Sequence, residues 1–267
     1  MNLPKAVKPS RNFRLRDFDP ADHCGLQDKD RTIAKTDAIA RQIGELQERL
    51  FADSTQALLI VLQGMDTAGK DGTIRRVFDH VNPAGMSVSS FKTPGVEEKL
   101  HDFLWRVHNH VPAFGQIGIF NRSHYEDVLI VRVHADTMLP PSVRSAPQLF
   151  EKRFEMINTF EAILSQSRIK VVKFFLHISK DEQKRRLDSR LEDRDKNWKL
   201  SESDFAERKF WKKYQHCYED AIRFTSTKTA PWYIIPSDHK WVRDYCVARI
   251  VRDTLKAMHP HPPVAGI

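Results

Sequence analysis

The sequence has few cysteines and no long apolar segment. Its three cysteines lie far apart without a Cys-x-x-Cys pair, which argues against a disulfide framework or a zinc site and favours a reducing compartment. No apolar run approaches the ~20 residues needed to span a bilayer, and the basic, Pro-rich start lacks the apolar core of a signal peptide. We therefore expect a soluble, cytoplasmic protein with no membrane partner.

The sequence also lacks internal repeats, low-complexity tracts and linkers rich in Pro, Gly or Ser. At 267 residues with 40% hydrophobic content, the chain can bury a sizeable core, which argues against disorder of the whole chain. Because no linker divides it, we expect a single domain over residues 1–267, in which residues 1–30 form an extension of weak periodicity.

The chain is strongly positive, with 43 Lys and Arg against 35 Asp and Glu and a net charge of +8. This balance favours polyanionic partners such as nucleic acid, acidic lipid or phosphate chains. Acids are interleaved with bases in the most basic segment, and no recognised nucleic-acid-binding module is present. We therefore predict no nucleic-acid partner.

Apolar, β-branched runs alternate with longer segments of helical periodicity. The runs predict strands at residues 57–62, 117–120, 128–133, 169–178 and 232–235. The longer segments predict helices at residues 32–51, 69–81, 96–110, 146–166, 180–194, 201–224 and 238–258. Capping-box patterns at Ser179 and Ser201 support two of the helix starts. The alternation is typical of an α/β fold, in which a parallel sheet is covered by helices on both faces.

A glycine-rich segment follows the first predicted strand and opens a predicted helix. Its sequence is Gly64-Met65-Asp66-Thr67-Ala68-Gly69-Lys70-Asp71-Gly72. The glycines let the backbone turn so that successive N–H groups face an anion, the helix start adds a partial positive charge, and Lys70 adds a full one. The segment predicts a phosphate-binding loop. It departs from the usual motif at Asp71, where a Ser or Thr hydroxyl normally binds magnesium.

A second motif follows the predicted strand at residues 117–120, with the sequence Asn121-Arg122-Ser123-His124-Tyr125-Glu126-Asp127. In phosphoryl-transfer enzymes of this architecture, the neighbouring strand often delivers an acid toward the metal, and an arginine neutralises the transferred group. Asn121 is uncharged and cannot be an anionic ligand. Asp66 with either Glu126 or Asp127 supplies carboxylates for a magnesium ion instead.

A third, strongly basic segment covers residues 184–199. On a helix, Arg186 and Arg190 lie four residues apart and share a face that can bind an anion. Arg208 continues the basic character on the next predicted helix. After two phosphate-site motifs, this pattern favours a basic lid at about residues 180–215, which supplies charge to a phosphoryl transition state and excludes water. A solvated face of ion pairs is the alternative.

Together, the three motifs resemble those of the polyphosphate kinase 2 family, and the likeness covers about residues 28–258. The loop that begins at Gly64 is similar to the family's loop through Thr73 and Arg75, and Asp71 is part of that family pattern. The other similar segments are residues 120–127, 197–201, 207–208 and 211–214.

The resemblance implies a three-layer P-loop kinase fold related to thymidylate kinase, a helical lid, dependence on magnesium or manganese, and a homotetramer or dimer. It also implies reversible phosphate transfer between inorganic polyphosphate and nucleotides. Many members have Asp at the position of Asn121 and a neutral or basic residue at that of Glu126. This chain resembles the subgroup (class III) that phosphorylates AMP and ADP to give ADP and ATP. GMP and GDP are further candidate acceptors.

The motifs also define a predicted site. Asp66 and Asp127 are predicted to hold the metal, and Lys70 and Arg122 the terminal phosphate of polyphosphate. Glu126 is predicted to orient the acceptor or a second metal. The residues predicted to bind polyphosphate or nucleotide are Gly64, Thr67, Ala68, Gly69, Lys70, Asp71, Gly72, Thr73, Arg75, Asn121, Arg122, Arg186, Arg190 and Arg208. An ATP-dependent nucleoside monophosphate kinase of the same architecture is the alternative function.

Overall fold

The structure is a computed structural model that describes residues 2–8, 10, 12–139, 142–193 and 202–263, apart from the side chains of residues 202–204. Its strands are β1 (Ala57–Gln63), β2 (Met86–Ser90), β3 (Ile117–Asn121), β4 (Ile169–His177) and β5 (Trp232–Pro236). Its α-helices are α1 (Lys29–Asp53), α2 (Lys70–Val77), α3 (Trp105–His108), α4 (Ile130–Val133), α5 (Ala135–Met138), α6 (Ala146–Gln166), α7 (Lys180–Glu192), α8 (Glu202–Glu207), α9 (Trp211–Thr225) and α10 (Lys240–Met258). A 3-10 helix, His124–Val128, follows β3.

The five strands form one parallel sheet in the order β2-β3-β1-β4-β5. Every residue of the central strand β1 is buried, so both faces of the sheet are covered. Helices α1, α2 and α10 pack together, and α6 packs on β4 and α9. This arrangement confirms the predicted α/β class. All strands point the same way, so the loops after β1, β3, β4 and β5 meet at one edge of the sheet.

One predicted strand was wrong, and one strand of the sheet was not predicted. Residues 128–133 form the end of a 3-10 helix and α4 rather than a strand, with Val128, Leu129 and Val133 buried. The helix α4 packs against α9, and this tertiary contact overrides the local preference of its β-branched residues for a strand. The edge strand β2 was not predicted, because its sequence is polar and its residues are only half-buried or exposed.

Several helix boundaries also differ from the prediction. The predicted helix at residues 96–110 is reduced to a 3-10 turn and the four-residue α3. The predicted helix at 201–224 is divided into α8 and α9 by a 3-10 turn at Arg208–Phe210. The capping prediction at Ser179 is confirmed, since its Oγ accepts a hydrogen bond from Glu182 N at 3.1 Å. The prediction at Ser201 lies outside the described residues.

The N-terminal extension packs against the sheet edge. Ala6 forms an isolated antiparallel bridge with Tyr233 on β5, and Val7 N donates to Trp232 O at 2.8 Å. In the described part of the chain, no helix is both long enough and apolar enough to cross a membrane.

Candidate active site

The loop between β1 and α2 includes left-handed backbone conformations that residues with a side chain rarely adopt. Gly69 has φ +106, and a Cβ there would lie 1.8 Å from Arg243 Nη1. Thr67 also has a left-handed φ of +65, which is uncommon for a non-glycine residue. Strained backbone of this kind persists where the surrounding structure enforces it, commonly at functional sites. The loop therefore has the turn and the following helix start that an anion cradle needs.

Lys70 is folded back onto this loop, where its Nζ donates to Gly64 O at 2.8 Å. Burial of the ammonium, together with the nearby positive charge of Arg122, lowers the pKa of Lys70 to about 8, although Asp66 and Glu126 act in the opposite direction. An arriving polyanion would stabilise the protonated form. Lys70 is thus placed to respond to a phosphate ligand.

Arg122 connects the loop to the segment after β3. Its φ is +63, and its backbone N–H donates to Leu62 O at 3.1 Å, which fixes the turn beside β1. A left-handed non-glycine residue costs about 1–3 kcal/mol. The guanidinium lies 2.6 Å from Asp66 Oδ1 and 3.6 Å from Glu126 Oε2. Burial lowers the pKa of Arg122, but Glu126 and Asp66 outweigh it, so the pKa is raised overall and the charge is retained.

The two residues that depart from the usual motifs contact each other. Asn121 Nδ2, at the end of β3, donates to Asp71 Oδ1 at 2.7 Å. In the usual arrangement the loop carries the hydroxyl and the strand carries the acid. Here the loop carries the acid, Asp71, and the strand carries the neutral amide, Asn121. The pair of positions therefore still contains one carboxylate, as in the usual arrangement.

The two acids after β3 face different surroundings. Glu126 is close enough to Asp66, Lys70 and Arg122 for their charges to act on its carboxyl, although burial is the largest influence and raises its pKa. Asp127 instead lies 3.7 Å from Arg153 Nη1. Burial raises the pKa of Asp127 to about 6 against the charges of Arg153 and Arg106. The structure therefore places Glu126 with Asp66 around Arg122 and places Asp127 beside Arg153, while the metal-binding role of Asp66 and Asp127 stays a prediction.

Arg186 has a different environment from the one predicted. Its side chain is 7% exposed, and its guanidinium donates to Thr67 O, Ala68 O, Ser237 O and Asp238 O at 2.6–3.2 Å, while Nε donates to Glu182 Oε1 at 2.6 Å. All five N–H groups of the guanidinium then have protein acceptors. Arg186 thus connects the phosphate loop to the segment after β5, and its predicted role in binding polyphosphate or nucleotide stays a prediction.

Arg208 reaches the loop indirectly. Its Nη1 donates to Gln183 Oε1 at 2.7 Å, and Gln183 Nε2 donates to Asp66 O at 3.2 Å. Thr73 faces away from the loop, since its hydroxyl is buried and donates to Asp244 Oδ1 at 3.3 Å. The predicted lid motif at residues 197–201 lies outside the described residues.

A cavity of about 730 Å³ lies over the loop. Of the predicted residues, its lining includes Asp66, Thr67, Gly69, Lys70, Asp71, Gly72, Arg75, Asn121, Arg122, Arg186 and Arg190. Residues of the lining that were not predicted are Ser90, Lys92, Arg185, Ser189, Lys240 and Arg243. Four of them share a signal of position, because Ser90 and Lys92 lie at or just after the end of β2, and Lys240 and Arg243 lie in the first turn of α10, the helix that follows β5. An α/β sheet binds ligands at this edge.

The oxygen donors at this edge suit a hard divalent cation. Mg²⁺ prefers oxygen ligands and is commonly held by one or two carboxylates together with substrate phosphates. Asp66, Asp71 and Glu126 supply carboxylates around Lys70 and Arg122. The described residues contain no cluster of three or more His, Cys, Asp or Glu side chains that would hold a metal without substrate. The site therefore fits a cation that binds together with phosphate.

Comparison with known proteins agrees with this geometry. The family model described as polyphosphate kinase 2 matches residues 26–263. The chain is 44% identical to the AMP/ADP-polyphosphate phosphotransferase of Meiothermus ruber, over 97% of this chain and 96% of that protein. It is 41% identical to the ADP-polyphosphate phosphotransferase of Rhodopseudomonas palustris, over 81% of this chain and 76% of that protein.

The fold has a close likeness among solved structures. The crystal structure of polyphosphate kinase 2 from Arthrobacter aurescens superposes with a TM-score of 0.92 and 39% identity, over 100% of this chain and 95% of that chain. This likeness confirms the predicted P-loop kinase fold. From the matched family model, the two relatives and the shared fold, we conclude that this chain belongs to the polyphosphate kinase 2 family.

Proposed function

We propose that this chain transfers a phosphoryl group from inorganic polyphosphate to AMP and ADP, giving ADP and ATP, in a reversible reaction. The observation that carries the proposal is the cavity over the phosphate loop, which is lined by Lys70 and Arg122 together with the carboxylates of Asp66 and Asp71. The names of the Meiothermus and Rhodopseudomonas relatives support both acceptors.

A path for a long anion supports polyphosphate as the donor. A second cavity, of about 440 Å³, lies beside the loop cavity and shares Arg185 and Lys240 with it. The second cavity is also lined by the bases Lys29 and Arg76 and by the acids Asp238 and Asp244. Basic side chains thus continue from the loop past the start of α10. A chain of linked phosphates is long enough to contact basic side chains in both cavities, whereas a triphosphate is shorter and contacts fewer of them.

The proposed reaction breaks the terminal P–O–P bridge of polyphosphate and forms a P–O bond to a phosphate oxygen of the nucleotide, leaving polyphosphate one unit shorter. The backbone N–H groups of the loop, Lys70 and Arg122 hold the terminal group and neutralise charge on its oxygens. Gln183 and Arg186 keep the loop in shape through their hydrogen bonds to its carbonyl oxygens. Catalysis is thus mostly positional and electrostatic.

A magnesium ion would be held by Asp66 and Glu126, with Asp71 in reach, and would supply charge neutralisation between the two phosphate groups. Manganese offers the same oxygen-binding chemistry. Asp127 is proposed to set the position of Arg153 and Arg106 at the acceptor side of the site. We further propose one domain over residues 1–267, with a lid from about residue 180 to 215, in a cytoplasmic homo-oligomer.

The deciding experiment separates this function from that of an ATP-dependent nucleoside monophosphate kinase. The purified chain is incubated with AMP, Mg²⁺ and polyphosphate without ATP, and with ADP, GMP and GDP in parallel. Appearance of ADP and then ATP supports the proposal. Phosphorylation of AMP only when ATP replaces polyphosphate would establish the alternative function.

Lys240 gives a test of the extended anion path. Lys240→Ala is expected to raise the KM for long-chain polyphosphate by about 3- to 10-fold, since a partly exposed charge contact contributes on the order of 1 kcal/mol. The KM for tripolyphosphate should change by less than about 2-fold. Lys228→Ala is the matched control, because Lys228 is exposed on the loop before β5, at the opposite end of that strand. Equal changes for both donors would contradict the path.

The lowered pKa of Lys70 predicts how donor affinity depends on pH. Because the pKa is about 8 in the free chain, the ammonium is present below pH 8 and is lost as the pH rises through that value. The KM for polyphosphate is therefore expected to rise about 10-fold per pH unit above about pH 8, while kcat at saturation changes little. Initial rates across about pH 7 to 9.5 measure this. A constant KM over that range would contradict the role of Lys70.

A further inference from the structure

A set of buried polar side chains lies beneath the turn that carries Arg122 and Glu126. Its members are His124, Tyr125, Glu161, Lys173, Thr225 and Trp232, all of them buried. They belong to separate elements, namely the 3-10 helix after β3, α6, β4, α9 and β5. None of them lines the cavity over the loop. The proposed reaction therefore does not use them directly.

Lys173 is the centre of this set. It is fully buried, and its Nζ lies 2.5 Å from Glu161 Oε2, 2.9 Å from Tyr125 Oη and 2.8 Å from Thr225 O. These three acceptors match the three N–H groups of an ammonium. A buried charge without such partners would be strongly destabilising. Lys173 and Glu161 thus form a satisfied ion pair within the core.

Tyr125 connects this ion pair to the turn. Its hydroxyl lies 2.8 Å from Glu161 Oε1 and 2.9 Å from Thr225 Oγ1, in addition to its contact with Lys173. Tyr125 is adjacent in sequence to Glu126, within the same short 3-10 helix. Its ring also packs edge-on against Trp232 at 4.8 Å between centroids. Movement of the Tyr125 side chain would therefore move Glu126.

The turn needs such an anchor. Arg122 has a left-handed backbone, and such conformations persist only where neighbouring structure holds them. The next residue, Ser123, is also fixed, since its Oγ accepts from Gln63 Nε2 and Tyr125 N, both at 3.2 Å. Apolar side chains of similar volume would commonly stabilise a core as well as a buried ion pair does. A contribution to orientation explains the polar set better than a contribution to stability.

We infer that Tyr125, held by the Lys173–Glu161 ion pair, is a positioning residue that fixes Arg122 and Glu126 against the phosphate loop. This inference rests on the proposed function for its activity readout, and on the structure alone for the position of the turn.

The test is Tyr125→Phe, which keeps the ring and removes only the hydroxyl. We expect kcat for polyphosphate-dependent phosphorylation of AMP to fall at least about 10-fold, because small displacements of reacting groups are costly. The KM for polyphosphate should change by less than about 2-fold, since Lys70 and the loop are untouched. Backbone amides of residues 122–128 should exchange with deuterium faster than in the unchanged chain.

Thr36→Val is the matched control. Thr36 also carries a buried hydroxyl, which donates to Thr32 O at 2.8 Å within α1, away from the turn. The control should lose thermal stability to a similar extent while kcat and exchange at residues 122–128 stay unchanged. A Tyr125→Phe chain with normal kcat, or with exchange in the turn unchanged, would overturn the inference. The exchange measurement needs no substrate, so an inactive parent chain would count against the proposed function and not against this inference.

Discussion

Replacing Lys70 by Met is expected to lower kcat/KM for polyphosphate-dependent phosphorylation of AMP by about 10³-fold. Met has a similar length and shape but no charge, so the loop backbone remains while the ammonium beside the transferred group is lost. The backbone N–H groups of the loop and Arg122 would remain to bind phosphate. Steady-state rates at several polyphosphate concentrations, with AMP and Mg²⁺ saturating, measure the effect.

Stability should move in the opposite direction from activity. The pKa of Lys70 is about 8 in the folded chain and about 10.5 when unfolded, so at pH 7 folding buries a charge that water solvates better. This penalty is fully present below pH 8 and disappears as the pH rises through the unfolded value. The thermal midpoint of Lys70→Met at pH 7 should therefore not fall.

Lys35→Met is a suitable control for Lys70→Met, because Lys35 is exposed on α1. It should leave activity within about 2-fold of the unchanged chain. A Lys70→Met chain that is folded and retains more than about a tenth of the activity would refute the role assigned to Lys70.

Replacing Asp66 by Asn is expected to lower kcat by about 10²- to 10³-fold and to raise the Mg²⁺ concentration needed for half-maximal activity. The amide keeps the shape of the side chain and can still accept a hydrogen bond from Arg122, now 2.6 Å from Asp66 Oδ1. The substitution therefore removes mainly the negative charge. Glu126 remains as a partner for Arg122, so the turn after β3 should stay in place.

Titration of Mg²⁺ at saturating polyphosphate and AMP measures both effects. Asp253→Asn is the matched control, because Asp253 lies near the end of α10, lines neither cavity and forms a surface ion pair with Arg249 at 3.7 Å, and such pairs contribute little. It should leave both kcat and the Mg²⁺ requirement unchanged. Near-normal turnover of Asp66→Asn with an unchanged Mg²⁺ requirement would remove Asp66 from the metal site.

Much of the fold could be predicted from local sequence. The apolar run of β1 predicts a strand that is buried on both faces, and residues 146–166 have the bounds of α6. The loop around Lys70 could be predicted because its turn depends on nearby glycines and its lysine has a fixed spacing from them. The family was predicted from the order of three motifs, and the matched family model confirms it.

Contacts between residues distant in sequence could not be predicted from local patterns. Arg186 lies on the predicted helix α7, but its contacts with the carbonyls of Ser237 and Asp238 depend on how β5 returns to the sheet. The periodicity of a helix predicts on which face of the helix an arginine lies, but not which residues that face contacts. Asp127 shows the same limit, because a single turn of 3-10 helix directs it toward Arg153 and directs Glu126 toward Arg122.

The sequence by itself determined the strand-loop-helix unit at Lys70, the acid and arginine after β3, and the family to which the chain belongs, because these depend on residues close together along the chain. Only the tertiary structure decided that Glu126 joins Asp66, that Arg186 holds the loop, and that Lys173 and Glu161 lie beneath Tyr125. Those contacts form where strands and helices distant in sequence meet, and no local pattern specifies which long side chains will share a buried space.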